Sequence, residues 1–409
     1  MGIDSDNPNK NFSVNIPDVV IVSRSARRWP SIGGAPRGSL LYATALLRLQ
    51  PLKYKLHFIG QYRPSSENEN LSFIKVKPFV NINSGKGLIY YVKALLLDIQ
   101  IAYVAVKYIR KHKQIKLAHL NANITTIIVK LFTRVKIIYT IHDSIYSNKE
   151  VYTTKSLKLI KFLNNFLLEK IAIMSCNSVI AVSIPISNAV SKLTNKPVMV
   201  IYFNTLLLEK KGETIQNNMA MNPYADSFEI RIISVGEQDR RKRFDILLEA
   251  FCILRIQNKK LSLVGTGSEH SKLVRLAQQM GVSSMVDFMT EISDTELHIE
   301  YQKSTCFALV SESEGFPIAL IEAMQFGCPV FLSLKTGAIE LKPISNELFR
   351  ICDSLDPIKI ARELETLIDV ISKDIEVKQK VKKYASETFK LDSFASKLQE
   401  SYDSVLIAN

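Results

Sequence analysis

The stretch Ser311–Val330 reads SESEGFPIALIEAMQFGCPV and holds two acids at a spacing that could do chemistry. Glu314 stands just ahead of Gly315 and Pro317, and Glu322 lies eight positions on, inside an apolar run. The run predicts a helix over Ile318–Phe326, with Pro317 in its first turn, where a missing N–H costs little. Gly327 and Pro329 end it. N–H groups at such a helix start favour an anion such as a diphosphate. A carboxylate one turn along is poor for phosphate and good for the two hydroxyls of a ribose. Glu314, before the helix and nearer the strand end, can accept hydrogen bonds from sugar hydroxyls. Taken alone, the two acids also fit a helix start with an acidic cap residue and an exposed Glu. The whole string is more specific.

Repeating strand and helix patterns must position these residues. In the first half, strands are predicted at Asp18–Ser23, Tyr54–Gly60, Lys116–His119, Val135–Ile141, Val179–Ser183 and Val198–Tyr202. A Gly33-Gly34 loop precedes a helix near Ser39–Leu49. After a polar stretch, strands are predicted at Glu229–Val235, Lys260–Val264, Val286–Phe288, Cys306–Val310 and Val330–Leu332, with helices between. Strands alternating with helices imply parallel sheets. The reading is α/β, two tandem Rossmann-like domains facing across a cleft. The first spans 1–205, the second 206–390, and residues 391–409 form a final helix that packs back on the first.

The 409 residues suffice for two such domains, and 47% hydrophobic with 22% charged residues is a globular balance. Five cysteines, scattered singly, argue against a disulfide framework or zinc site and suit a reducing compartment. The polar, acidic opening MGIDSDNPNK does not read as a signal peptide. Ile171–Ser191 lacks charge but holds five serines and Pro185; Gly87–Tyr108 is interrupted by Lys93 and Asp98. Neither reads as a membrane span. Residues 1–205 hold 28 Lys and Arg against 9 Asp and Glu, a net +19, and the remainder 25 against 30, a net −5. A basic half suits a nucleic acid, an anionic membrane or a phosphorylated substrate.

The Ser311–Val330 string resembles the E-x7-E signature of retaining glycosyltransferases of GT-B architecture, family 4 in particular. SVGEQDRRKRFDILLEAF (Ser234–Phe251) resembles that family's first glycine block, and LVGTGS (Leu263–Ser268) its second. YTIHD (Tyr139–Asp143), the Gly33-Gly34 pair, AVS (Ala181–Ser183), VDF (Val286–Phe288) and Asn204 fall in the family's order. The resemblance is dense from Gly236 to Gly337. It implies a nucleotide-sugar donor in the second domain and an acceptor mainly in the first. Glu314 and His142 would be catalytic, Glu322 would hold the ribose, and Lys242 would neutralise the diphosphate. Gly236, Arg241 and the backbone of Gly315, Phe316, Ile318 and Ala319 would cradle the donor, with Gly33 and Gly34 approaching the phosphates from the other domain. No metal or cofactor is implied, the nucleotide sugar being a substrate. The acceptor is expected to be a saccharide or polyprenyl-linked, the protein cytoplasmic and peripheral on the inner membrane face, and Arg24, Arg27, Arg28, Trp29 and Arg37 are candidates for lipid contact.

One residue departs from the pattern. Glu237 stands where the family has Arg. Arg240, Arg241 or Arg243 could restore the charge, or the donor phosphate is held differently. The alternative is a catalytically weak subunit that works by binding a partner. A dehydrogenase reading fails because His270 occupies the place of the third glycine after Gly265 and Gly267. Nucleic-acid binding fails for want of zinc spacing, RNA-binding aromatics or a helix-turn-helix.

Overall fold

The computed structural model describes residues 16–23, 34–49, 53–61, 70–79, 88–142, 163–203, 229–333, 337–338, 341, 348–374 and 376–408. Two sheets organise the chain. The first contains β1 (Asp18–Val22), β2 (Lys55–Gly60), β3 (Leu71–Lys75), β4 (Ile115–Leu120), β5 (Lys136–Ile141), β6 (Ser178–Ala181) and β7 (Val198–Val200). Their spatial order is β3-β2-β1-β4-β5-β6-β7. The second contains β8 (Ile230–Val235), β9 (Lys259–Val264), β10 (Val286–Met289), β11 (Cys306–Leu309), β12 (Val330–Ser333) and β13 (Phe349–Cys352), in the order β10-β9-β8-β11-β12-β13. Every pairing is parallel. Central strands such as β1 (DVVIV) and β11 (CFAL) are buried along their whole length, as continuous apolar runs between two helix layers must be.

The helices are α1 (Gly34–Arg48), α2 (Leu88–Lys111), α3 (Asn123–Phe132), α4 (Glu169–Ser175), α5 (Ile184–Ser191), α6 (Phe244–Ile253), α7 (His270–Gln279), α8 (Asp294–Lys303), α9 (Ile318–Gln325), α10 (Pro357–Lys373), α11 (Val377–Thr388) and α12 (Leu391–Ile407). Strand order reverses between β1 and β4 in one sheet and between β8 and β11 in the other. At such switch points the loops at the carboxyl ends splay apart and leave a crevice for a ligand.

Two edge strands, β3 and β13, were not expected from the sequence. Their half-exposed faces mix polar with apolar residues, so the runs are short and weak. The first helix starts at Gly34 rather than Ser39, which puts Gly34 inside the helix instead of a loop. The joint expected near residues 205–226 lies outside the described residues, as do Gly33, Asp143, Asn204 and the side chains of Arg24, Arg27, Arg28, Trp29 and Arg37.

Helix α12 packs on the first domain. The Tyr54 hydroxyl donates to Asp403 at 2.5 Å. Buried His119 in β4 lies 2.7 Å from the Tyr402 hydroxyl and 2.6 Å from that of Thr140. Burial, and then the nearby His142, push the His119 pKa down to about 3, so its ring is neutral. The unfolded chain therefore binds this proton first, and stability present above about pH 6.5 falls as pH drops toward 3, by about 1.4 kcal/mol per unit. His119→Gln is expected to lose about 1 kcal/mol at pH 7 through its hydrogen bonds, yet to show a shallower decline between pH 7 and 5. Thermal unfolding at both pH values tests this; parallel declines would contradict it.

Candidate active site

Gly236 and Gly265 end neighbouring strands β8 and β9. A Cβ on Gly265, at φ +126°, would lie 2.1 Å from the Gly236 carbonyl oxygen, so both backbones can meet only without side chains there. The chain then turns through Asp239, whose carboxylate accepts from the Lys242 N–H at 3.0 Å. This cap aims Arg241 and Lys242 at the end of β11. Both reach Glu314: Arg241 Nη1 lies 2.8 Å from its Oε1, and Lys242 Nζ 2.5 Å from the same oxygen. Arg241 also donates to the Ser313 carbonyl at 2.7 Å. The Glu314 side chain is only 8% exposed. Burial works to raise its pKa, but Arg241 and Lys242 outweigh that and hold it below the ordinary carboxylate range.

The same loop answers the Glu237 departure. Glu237 is exposed. Of the three arginines considered as replacements, Arg241 faces the site, whereas Arg243 pairs with Glu312 and Asp245. The site keeps its positive charge.

Pro317 occupies the cap of α9 rather than its first turn. Phe316 and Ile318 are buried, so only their backbone is available to a ligand, and Ala319 is half-buried. Glu322 is 0% exposed, not on an open wall. Its Oε2 accepts from the Tyr301 hydroxyl of α8 at 3.1 Å. A buried carboxylate needs such a partner.

The first domain supplies the facing wall. His142 follows β5, and its ring stacks on Phe203 with centroids 5.5 Å apart and planes 4° from parallel. Among the described residues neither ring nitrogen has a hydrogen-bond partner, although both are enclosed. Burial pushes its pKa down to about 3, which leaves a neutral imidazole with one donor and one acceptor for a ligand. The two walls meet closely. A Cβ on Gly315 would sit 1.8 Å from the His142 carbonyl oxygen, and one on Gly337 would sit 1.6 Å from the Gly315 oxygen. Phe316 also meets Tyr202 from the first domain, with ring centroids 5.2 Å apart.

The structure thus brings Glu314, Arg241, Lys242, Gly236, Gly315 and His142 to one place. Gly34 is at the start of α1, and Gly33 is not described. Gly38 was overlooked in the sequence. A Cβ there would lie 2.5 Å from the Phe203 ring and 3.0 Å from His142, so Gly38 makes room for the stack. A glycine inside a helix-like run was the available signal.

Comparison with known proteins agrees with this geometry. Residues 224–387 match the family model "Glycosyl transferases group 1". An uncharacterized glycosyltransferase of Haemophilus influenzae is 31% identical over 34% of this chain and 35% of its own length. The O-antigen biosynthesis glycosyltransferase WbnH of Escherichia coli is 28% identical over 34% of this chain and 39% of its own. The matched stretch therefore spans little more than a third of these curated relatives. Solved structures match over nearly the whole chain. Sucrose-phosphate synthase of Thermosynechococcus elongatus has TM-score 0.76 at 17% identity, covering 96% of this chain and 100% of that one. Anabaena HepE in complex with UDP-glucose has TM-score 0.67 at 15% identity, covering 95% and 100%. The chain is therefore built on the two-domain GT-B plan, and its second domain matches the Glycosyl transferases group 1 family.

Proposed function

We propose that the protein is a retaining glycosyltransferase that moves a sugar from a nucleotide-sugar donor to a saccharide or polyprenyl-linked acceptor in cell-surface glycan or polysaccharide synthesis. The observation that carries the reading is the meeting of Glu314 and its two cations with neutral His142 at the mouth of both sheets. The bond from the anomeric carbon to the diphosphate breaks, the acceptor hydroxyl oxygen forms the new one on the same face, and its proton passes to the departing diphosphate. Arg241, Lys242 and the start of α9 stabilise the charge left on the diphosphate. They supply positive charge from the protein, and the reading is of a metal-independent transfer. His142 hydrogen-bonds the transferred sugar, and Glu314 contacts the reacting centre. Glu322 takes the ribose hydroxyls once Tyr301 yields its place. The donor-bound state of HepE and the O-antigen role named for WbnH support this choice of substrates.

The proposed site of action is the cytoplasmic face of the membrane. No described helix is long and apolar enough to cross a bilayer. The test is to incubate the protein with a panel of nucleotide sugars in a chelator, beside a Glu322→Ala variant. One donor is expected to bind and hydrolyse slowly, and the variant to weaken it about a hundredfold, as the loss of two charge-assisted hydrogen bonds implies. Equal binding by the variant would remove Glu322 from the donor site.

A further inference from the structure

We propose that Arg243 is the positioning residue for Glu314: it fastens the loop that carries this carboxylate to the loop that carries Arg241 and Lys242. The inference rests on the proposed function for the role of Glu314 and adds the part that holds Glu314 in place. Among the described residues Arg243 is the one non-glycine with a positive φ, +50° with ψ +42°. In left-handed backbone Cβ crowds the following carbonyl oxygen, a clash that glycine avoids. Such a strained backbone is kept where the side chain does something a glycine could not.

Arg243 stands at the start of α6, and its side chain satisfies none of the N–H groups there. Its guanidinium is divided between two carboxylates. Nε and Nη2 donate to Asp245 at 3.0 and 3.1 Å, which holds the fork in one orientation. Nη1 then donates to Glu312 Oε1 at 2.6 Å. Glu312 belongs to the loop after β11, two residues ahead of Glu314. The Glu312 N–H donates to the Arg241 carbonyl at 2.8 Å. Arg241 Nη1 in turn reaches the Ser313 carbonyl at 2.7 Å and Glu314 Oε1 at 2.8 Å. Three consecutive residues of one loop are thus tied to Arg241 and Arg243 of the other. The Glu312 carboxylate is also kept on Arg243 while Arg241 serves Glu314.

Stability does not account for the arrangement. The Arg243 and Glu312 side chains are each 23% exposed and that of Asp245 44%, so solvent screens both pairs and they contribute little. The strain of the left-handed backbone works against even that. A glycine at position 243 would serve the fold about as well. It could not hold Glu312, and with it the path of the chain to Glu314. A reacting group displaced by about 1 Å can lose about a hundredfold in rate, so the loop that carries Glu314 must be held from more than one side.

The experiment compares the full chain with Arg243→Gly, Glu312→Ala and the double variant. Amide hydrogen exchange is read first, because it needs no substrate. Arg243→Gly should speed exchange of the Glu312 amide, which is tied to Arg241, at least about tenfold and leave α6 near its wild-type rate. The unfolding temperature should stay within about 2 °C of wild type. Hydrolysis of a panel of nucleotide sugars is read second. With the sugar that wild type hydrolyses, kcat should fall about tenfold and KM change less than about twofold. The double variant should lose no more than Arg243→Gly alone. Unchanged exchange at Glu312, an unchanged kcat or additive losses overturn the proposal. So does a fall of more than about 5 °C in unfolding temperature with exchange raised throughout the second domain, which would make Arg243 a part of the fold alone. A wild type that hydrolyses no sugar of the panel counts against the transferase reading, while exchange at Glu312 still decides whether Arg243 fixes the Glu314 loop.

Discussion

Glu314→Gln is expected to cut sugar transfer at least a hundredfold while tightening the hold on the donor's nucleoside diphosphate. In the structure Arg241 and Lys242 are both committed to the Glu314 carboxylate. A diphosphate entering the site competes with that carboxylate for the same two cations. On the proposed reading, the donor's phosphates take over the two cations, and Glu314 is released toward the sugar. The glutamine keeps the shape and removes the negative charge. Buried Lys242 and half-buried Arg241 then lose that counter-charge, which costs stability and raises their attraction for phosphate. Affinity for the nucleoside diphosphate should rise about tenfold, or about 1.4 kcal/mol. Transfer should fall about a hundredfold or more, since the carboxylate at the reacting centre is lost. Calorimetry with a panel of nucleoside diphosphates and a turnover assay with the matching donor read the two effects separately. Weaker diphosphate binding by the variant would show that Glu314 does not compete with phosphate at this site.

Gly315→Ala is expected to cost about a hundredfold in turnover with little change in the fold of either domain. The added methyl would lie 1.8 Å from the backbone oxygen of His142, an atom that cannot rotate away. The two walls must then separate by an ångström or more, and a misplacement of that size costs about two orders of magnitude in a positioned reaction. The loss should fall on kcat more than on nucleotide affinity, because Arg241 and Lys242 reach Glu314 from the second domain alone. Gly337→Ala would press instead on the Gly315 carbonyl, inside the second domain, and should weaken nucleotide binding as well. If Gly315→Ala turned over at the wild-type rate, the two walls would not form one site.

Much of this was legible in the chain. The runs DVVIV and CFAL announce buried parallel strands, because only a sheet covered on both faces tolerates unbroken apolar sequence. The glycine blocks at Gly236 and Gly265 mark strand ends where two backbones approach, and the Glu314–Glu322 spacing marks the loop and helix beside them. What escaped the sequence depends on tertiary placement. The ion pair of Arg241 with Glu314 joins residues 73 positions apart. Nothing local distinguishes Arg241 from Arg240 or Arg243. Glu322 reads as a residue on an accessible helix face, but α8 lies over it and seals it with Tyr301. In α2 the sequence LIYYVKALLLDIQIAYVAV is apolar on every side, so its pattern could not tell the buried face from the exposed one. Asp98, which interrupts that run, is buried.

The most direct test of the central claim, that a nucleotide sugar sits against Arg241, Lys242 and Glu314, is calorimetric titration of the metal-free protein with a panel of nucleotide sugars. The account predicts that one donor binds with a Kd in the micromolar range, about −8 kcal/mol, and that Lys242→Ala weakens it at least tenfold. Binding of no donor, or binding that Lys242→Ala leaves intact, would contradict it.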